Sequence, residues 1–288
     1  MISRVAVVLA LLASSAASAY LCTRTPNGGP SVFWNDRHVV VRPHGGGQEV
    51  AAGTLVRVLE RGVAAWSTTT CSNILLEVGD PTLQDVVGFN WHAGSGDAIN
   101  QNIVVFRNDT AGDDLDRWLH ALGALAITTV TFESSGGRLL DADIEINDVG
   151  FEFTTCDLEE ASCRVVFDLE NTLTHELGHV LGLDHPPPGD PNAVDATMFA
   201  SASEGQIDKR DLAADDVDGI CTIYPGTDPA AGECYGVGRP ELSRVQFEQS
   251  LCAGVGGGGG PGPWAALLTL GAGLWSRAAR RKRRRGGG

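Results

Sequence analysis

One stretch constrains this chain more than any other: His175-Glu176-Leu177-Gly178-His179-Val180-Leu181-Gly182-Leu183-Asp184-His185. Asp168 is a candidate N-cap for a helix opening at Leu169, and Gly182 a candidate stop. At about 100° per residue, Leu173, Leu177, Val180 and Leu181 form one apolar stripe, and His175 and His179 share the opposite face. Two neutral imidazoles at that spacing reach one metal ion. A catalytic zinc takes three protein ligands and keeps one position open. Gly182 lets the chain reverse, so that His185 arrives as the third ligand. Glu176 lies on the metal side without being needed as a ligand. It is expected to act as general base on a zinc-activated water. The rival reading is a non-catalytic secreted or surface-anchored protein with a structural metal site. Glu176 and the open position weigh against it, because a structural zinc is closed by four ligands and has no use for a base.

The two ends are read apart from the fold. Residues 1–19 have the pattern of an export signal: Arg4, an apolar run over 5–12, then Ala17-Ser18-Ala19, so the mature chain is expected to start at Tyr20. At the other end five glycines (256–260) precede an apolar stretch at 264–275 and a basic cluster at 280–285. The apolar part is shorter than the roughly 20 residues of a spanning helix. Together with Cys252-Ala253-Gly254 this end resembles the tripartite sorting tail called MYXO-CTERM. That resemblance implies transient membrane contact through the tail and its removal during surface sorting, leaving an exported protein outside the cell or on its surface. Seven of the 21 basic residues lie in 277–285 and one is Arg4, so residues 20–252 hold 13 basic against 36 acidic residues, a formal charge of −23. A segment so acidic excludes nucleic acid as a partner class. Seven cysteines in an exported chain read as three disulfides and an odd thiol. Cys252 is taken as the odd one, Cys156 with Cys163 as a local loop, and Cys22 with Cys71 and Cys221 with Cys234 as the other pairs.

Periodicity predicts a long amphipathic helix over 50–66 and strands over 74–78, 86–90, 103–107, 122–132 and 139–146, the last two joined by a turn at Ser134-Ser135-Gly136-Gly137. The order is helix, mixed sheet, then the motif helix, an α+β arrangement. The expected organisation is a signal (1–19), a catalytic domain (20–225), a linker (226–255) and a sorting tail (256–288).

With these residues in place, the sequence over about 50–224 resembles the metzincin metallopeptidases, and within them the matrixin branch. The resemblance implies a metzincin-like fold, a protein or peptide substrate, and endopeptidase action with the proton from Glu176 passing to the leaving amine. Thr197-Met198 resembles the Met-turn, implying that Met198 forms an apolar floor beneath the zinc histidines. Residues 212–225 resemble the closing helix, in which Asp215 and Asp216 would anchor the framework; by spacing alone they are equally two solvated helix acids. The strand matching 125–129, with Leu125 and Ala126 at its start, would be an exposed edge that takes extended substrate by backbone hydrogen bonds. Departures from the family pattern are informative. Pro186 is more like the serralysins, yet their tyrosine ligand is Ala200 here, so a fifth ligand is not expected. Ile127 and Asp143 stand at the places of two structural-zinc histidines, so one zinc per chain is expected. Asp141, Asp143 and Glu145 are candidate Ca²⁺ ligands, or equally alternating acids on a solvated strand face. No Cys-switch segment precedes the domain. A monomer is expected.

Overall fold

In a computed structural model the described residues are 20–45, 50–90, 100–108, 116–155, 166–187, 189–191, 193–226 and 245–255. The export signal, the Cys156–Cys163 loop, Cys234 and the tail at 256–288 lie outside them. The chain divides into two units, Met1–Gly257 and Gly258–Gly288, and the described residues all fall in the first.

In chain order the elements are β1 Leu21–Cys22, β2 His38–Pro43, α1 Ala52–Ser67, β3 Leu75–Val78, β4 Asn102–Arg107, β5 Ala124–Glu133 and β6 Leu139–Asn147. They continue with β7 Phe153–Thr154, β8 Phe167–Asp168, α2 Leu169–Val180, β9 Leu183–Asp184, β10 Ser201–Ser203, α3 Ala214–Ile223 and β11 Val245–Val255. Seven strands form one mixed sheet in the order β10-β11-β5-β6-β4-β2-β3. β3, β2, β4 and β6 run parallel, and β5 folds back antiparallel on β6. The reversal between β5 and β6 ends at Gly137, at φ +74°, where a Cβ would collide with the Ser31 carbonyl oxygen.

Along β5 the side chains alternate as a pleated strand requires. Ala126, Val130 and Phe132 join the main core with α1 and α2, whereas Leu125 and Ile127 enter smaller apolar clusters. The two helices meet closely at Gly62, where a Cβ would lie 3.0 Å from Leu177 Cδ1 and 3.1 Å from Thr174 Oγ1. Buried Trp66 seals that contact, its Nε1 donating to the Thr174 carbonyl at 2.8 Å. Burying an indole of this size is worth several kcal/mol, on the order of 3–5 by its truncation cost.

The structure departs from the sequence reading at four places. Residues 86–90 are not a strand: Val86 is exposed, and the chain turns at Gly88, φ +98°, to donate its amide to Asp143. Strand β2 was not foreseen; it is the parallel partner that joins β3 to β4. Strand β11 arises within the stretch expected as linker and pairs antiparallel along β5, so β5 is not an exposed edge. Cys71 bonds Cys221, not Cys22, and Cys22 is itself disulfide-bonded. The Cys71–Cys221 Cα separation of 5.4 Å is what a bridge needs, and sequence spacing carries no such information. Among the described residues no helix is long and apolar enough to cross a membrane.

Candidate metal centre

Helix α2 starts where the motif predicts. The Asp168 carboxylate accepts from the Asn171 amide at 2.7 Å and is also held by Arg210 at 2.6 Å, fixing the first turn. Its other end is fixed by aromatic donors: Trp34 Nε1 donates to the Val180 carbonyl and the Tyr224 hydroxyl to the Leu181 carbonyl, both at 2.8 Å. Beyond them Gly182 takes φ +92°, in a place where a Cβ would sit 2.7 Å from the Val32 carbonyl oxygen. Only glycine suits both the conformation and the space. The chain then reverses into β9, which is clipped to β1 by Leu21↔Asp184 and Cys22↔Leu183. That reversal brings His185 back over the helix.

The three histidines foreseen from the motif converge. Their Nε2 atoms are 3.1 Å (His175 to His185), 3.2 Å (His175 to His179) and 3.1 Å (His179 to His185) apart. Among the described residues they are the group of His, Cys, Asp or Glu side chains whose ligand atoms all lie within 4.8 Å of one another. The orienting contacts lie on the other ring nitrogens. His175 Nδ1 donates to the Thr197 carbonyl at 2.6 Å and His179 Nδ1 to the Leu183 carbonyl at 2.9 Å. With the proton on Nδ1, each Nε2 presents a lone pair to the common centre. Burial, then the Lys209 charge, holds His175 well below the usual imidazole range; burial, then His179, does the same for His185, and burial takes His179 down to about 4. All three rings are therefore neutral at pH 7. Three buried lone pairs aimed at one point repel unless a cation sits between them. Tetrahedral ligands at the usual Zn–N distance of about 2.0–2.1 Å stand about 3.3 Å apart, close to what is found. The residues fit zinc.

Glu176 is fully buried beside this centre. Its Oε2 accepts from the Thr128 hydroxyl of β5 at 2.6 Å, and its Oε1 has no hydrogen-bond partner in the protein. Burial, offset in part by the Thr128 bond, pushes its carboxyl up to about 8. A carboxyl held near neutrality, with one oxygen anchored and one free, is suited to moving a proton.

The remaining expectations are met unevenly. Met198 is buried under α2 at Gly178, where a Cβ would be driven into its sulfur. Buried Asp216 anchors that turn, accepting from the amides of Thr197 at 2.7 Å, Met198 at 3.0 Å and Ala213 at 2.9 Å; Asp215 lies partly exposed. Leu125 and Ala126 are buried in β5 beneath the β11 pairing.

The candidate calcium acids each accept from a protein donor, and Asp141 Oδ2 is left without one. Asp143 accepts from the amides of Gly88 at 2.6 Å and Ile103 at 2.9 Å. Asp141 accepts from Asn100 at 2.6 Å. Glu145 takes Arg107 at 2.7 Å, with His120 at 2.9 Å. The face they share is buried rather than solvated.

Sequence reasoning missed Thr128 and Lys209. Lys209, also buried, donates to the Phe199 carbonyl and stands 3.5 Å from His175 Nδ1. A lone threonine in a strand and a lysine in a short turn carry no local signal of either contact.

This centre, on a helix over a mixed sheet with a methionine turn beneath it, defines an α+β metzincin-like fold. Comparison with known families agrees: residues 93–225 match the profile of the Matrixin family. Among the proteins that resemble the chain are metalloendoproteinases of Arabidopsis thaliana. Metalloendoproteinase 4-MMP is 35% identical over 108 residues, 37% of this chain and 27% of that protein. Metalloendoproteinase 5-MMP is 44% identical over 61 residues, 21% and 15% of the two chains. Metalloendoproteinase 2-MMP is 29% identical over 174 residues, 60% and 37%. The chain thus spans between 15% and 37% of the length of these relatives.

Proposed function

We propose that this chain is an exported zinc-dependent endopeptidase. The observation that carries the reading is the convergence of three neutral imidazole nitrogens beside a buried glutamate with one partnerless oxygen. His175, His179 and His185 would hold the ion, and zinc bound there supplies Lewis-acid polarisation of a carbonyl and of water. Everything else is the work of the chain itself. Glu176 takes a proton from water as its oxygen attacks the carbonyl carbon, and delivers that proton to the amine as the C–N bond breaks. Thr128 pins the other carboxylate oxygen, so that Oε1 keeps one direction. Thr197 and Leu183 hold two rings in the ligating tautomer. Met198 and Trp66 exclude water from beneath the helix.

The supporting resemblances are to metalloendoproteinases and to the Matrixin profile. Export through residues 1–19, and loss of the tail from about Cys252 during surface sorting, belong to the same proposal. The test is hydrolysis of an unfolded protein by the purified chain, with and without a zinc chelator. Activity lost on chelation and regained with added zinc is expected, together with about one zinc per chain by elemental analysis. Hydrolysis indifferent to the chelator would reject the assignment.

A further inference from the structure

The outer side of β5 is taken by the chain's own residues. β11 pairs antiparallel with β5 from Val245↔Glu133 to Cys252↔Ala126, without a break in register. A bulge then falls between Cys252 and Ala253, and the strand moves on to β10, with which it runs parallel: Ser201↔Ala253, Ala202↔Gly254, Ser203↔Val255. β11 is thus tied to β5 over residues 245–252 and to β10 over its last three residues. Its course crosses the elements that build the metal centre. Ser250 pairs with Thr128, whose hydroxyl holds Glu176. β10 begins three residues after Met198, and β11 also runs against α2.

Thr128 sets β5 directly beside Glu176, so an extended polypeptide lying alongside the histidines would compete for the same β5 donors and acceptors. Backbone pairing of this kind is indifferent to side chains, so what decides occupancy is local concentration. The 18 residues between Gly226 and Val245 keep β11 at an effective concentration on the order of millimolar. A peptide in solution at micromolar levels competes poorly with that.

We infer that the outer side of β5 has residues 245–252 as its resident occupant, anchored at 253–255 by β10, and that this segment holds the chain latent until it is displaced or cut. The inference rests on the endopeptidase reading for its consequence, though not for the pairing itself. The segment is a latency device on the C-terminal side of the metal centre.

Proline tests it, because proline has no amide hydrogen and cannot supply a ladder bond to β5. Alternate residues of an antiparallel strand donate to a given neighbour, so Ser250→Pro with Leu251→Pro removes a donor to β5 whichever residue carries it. Two readouts are taken on the full chain. The first is hydrogen exchange at the β5 amides of residues 126–133, measured with Glu176→Ala in both the parent and the proline variant so that no turnover intervenes. The second is the rate of hydrolysis of a quenched peptide with Glu176 intact. Exchange in β5 should quicken at least tenfold while β6 amides stay protected, and hydrolysis should rise at least tenfold. A synthetic peptide of residues 245–255, added to the variant, should restore protection and lower the rate. Equal β5 protection in parent and variant would overturn the proposal, as would an unchanged rate in a chain that does hydrolyse peptide. Faster exchange with no hydrolysis in any form would leave the pairing standing and remove the endopeptidase reading instead.

Discussion

Burial, and after it the Thr128 bond, set the pH at which Glu176 would act as the proposed base. A base must be the carboxylate, and the hydroxyl of Thr128 stabilises that form against the burial that raises its pKa. Thr128→Val removes the donor at nearly constant volume, so the carboxyl should titrate still higher. The acid limb of the pH profile of kcat/KM should move to higher pH, with activity at pH 6 falling more than activity at pH 9. Parallel losses at both pH values would assign Thr128 a merely packing role. Glu176→Ala is the companion test. It deletes the base and no ligand, so the variant should keep about one zinc while kcat falls on the order of 10²–10⁴-fold. A variant that hydrolyses peptide as fast as the parent would exclude Glu176 as the base.

At the scale of elements, the floor of the site belongs to α3 as much as to the Met-turn. Asp216→Ala would leave the amides of Thr197, Met198 and Ala213 without their acceptor in a buried place. A loss of about 2–4 kcal/mol is expected from urea unfolding, since each buried orphan costs about 1–3. The acids of β6 make a second prediction. Asp141 is raised by burial, and Asp143 well raised by burial and then by the Asp141 charge. Both bind protons more tightly folded than unfolded, so the stability they lend is complete below the ordinary carboxylate range, near pH 4, and drains away as pH climbs through their folded values. Asp141→Asn should flatten that decline in thermal midpoints taken from pH 4 to pH 8; an unchanged slope would refute the coupling.

These elements also show what the sequence could tell. The motif helix, its cap at Asp168, the reversal at Gly182 and the grouping of His175, His179 and His185 were legible because each is set by neighbours within a few residues. The β5–β6 pair was legible for the same reason. β11 was not, because a strand whose partners lie more than a hundred residues away in β5 announces itself only through them. Asp141, Asp143 and Glu145 read as calcium ligands or a solvated face because alternation tells which residues share a side, but not what covers it.

For the whole molecule, the Cys71–Cys221 bridge closes a span of 150 residues between the end of α1 and α3. Chain entropy assigns such a loop about 4–5 kcal/mol, and the same bridge ties α3, with Asp216, to the sheet. Replacing both cysteines by serine should cost about 2–5 kcal/mol in denaturant unfolding and loosen the Met-turn, seen as weaker zinc retention; unaltered stability would show that packing alone suffices. One feature reaches further. All twelve residues of α2 are buried, as are all ten of β5, and segments buried throughout open less readily than exposed loops. A peptidase lives among copies of itself, and what a neighbouring copy can cut is whatever opens locally. On the endopeptidase reading, α2 is thus among the segments best sheltered from self-digestion. An ageing solution of such a protein would be nicked in its exposed loops before it lost the helix that carries His175 and His179.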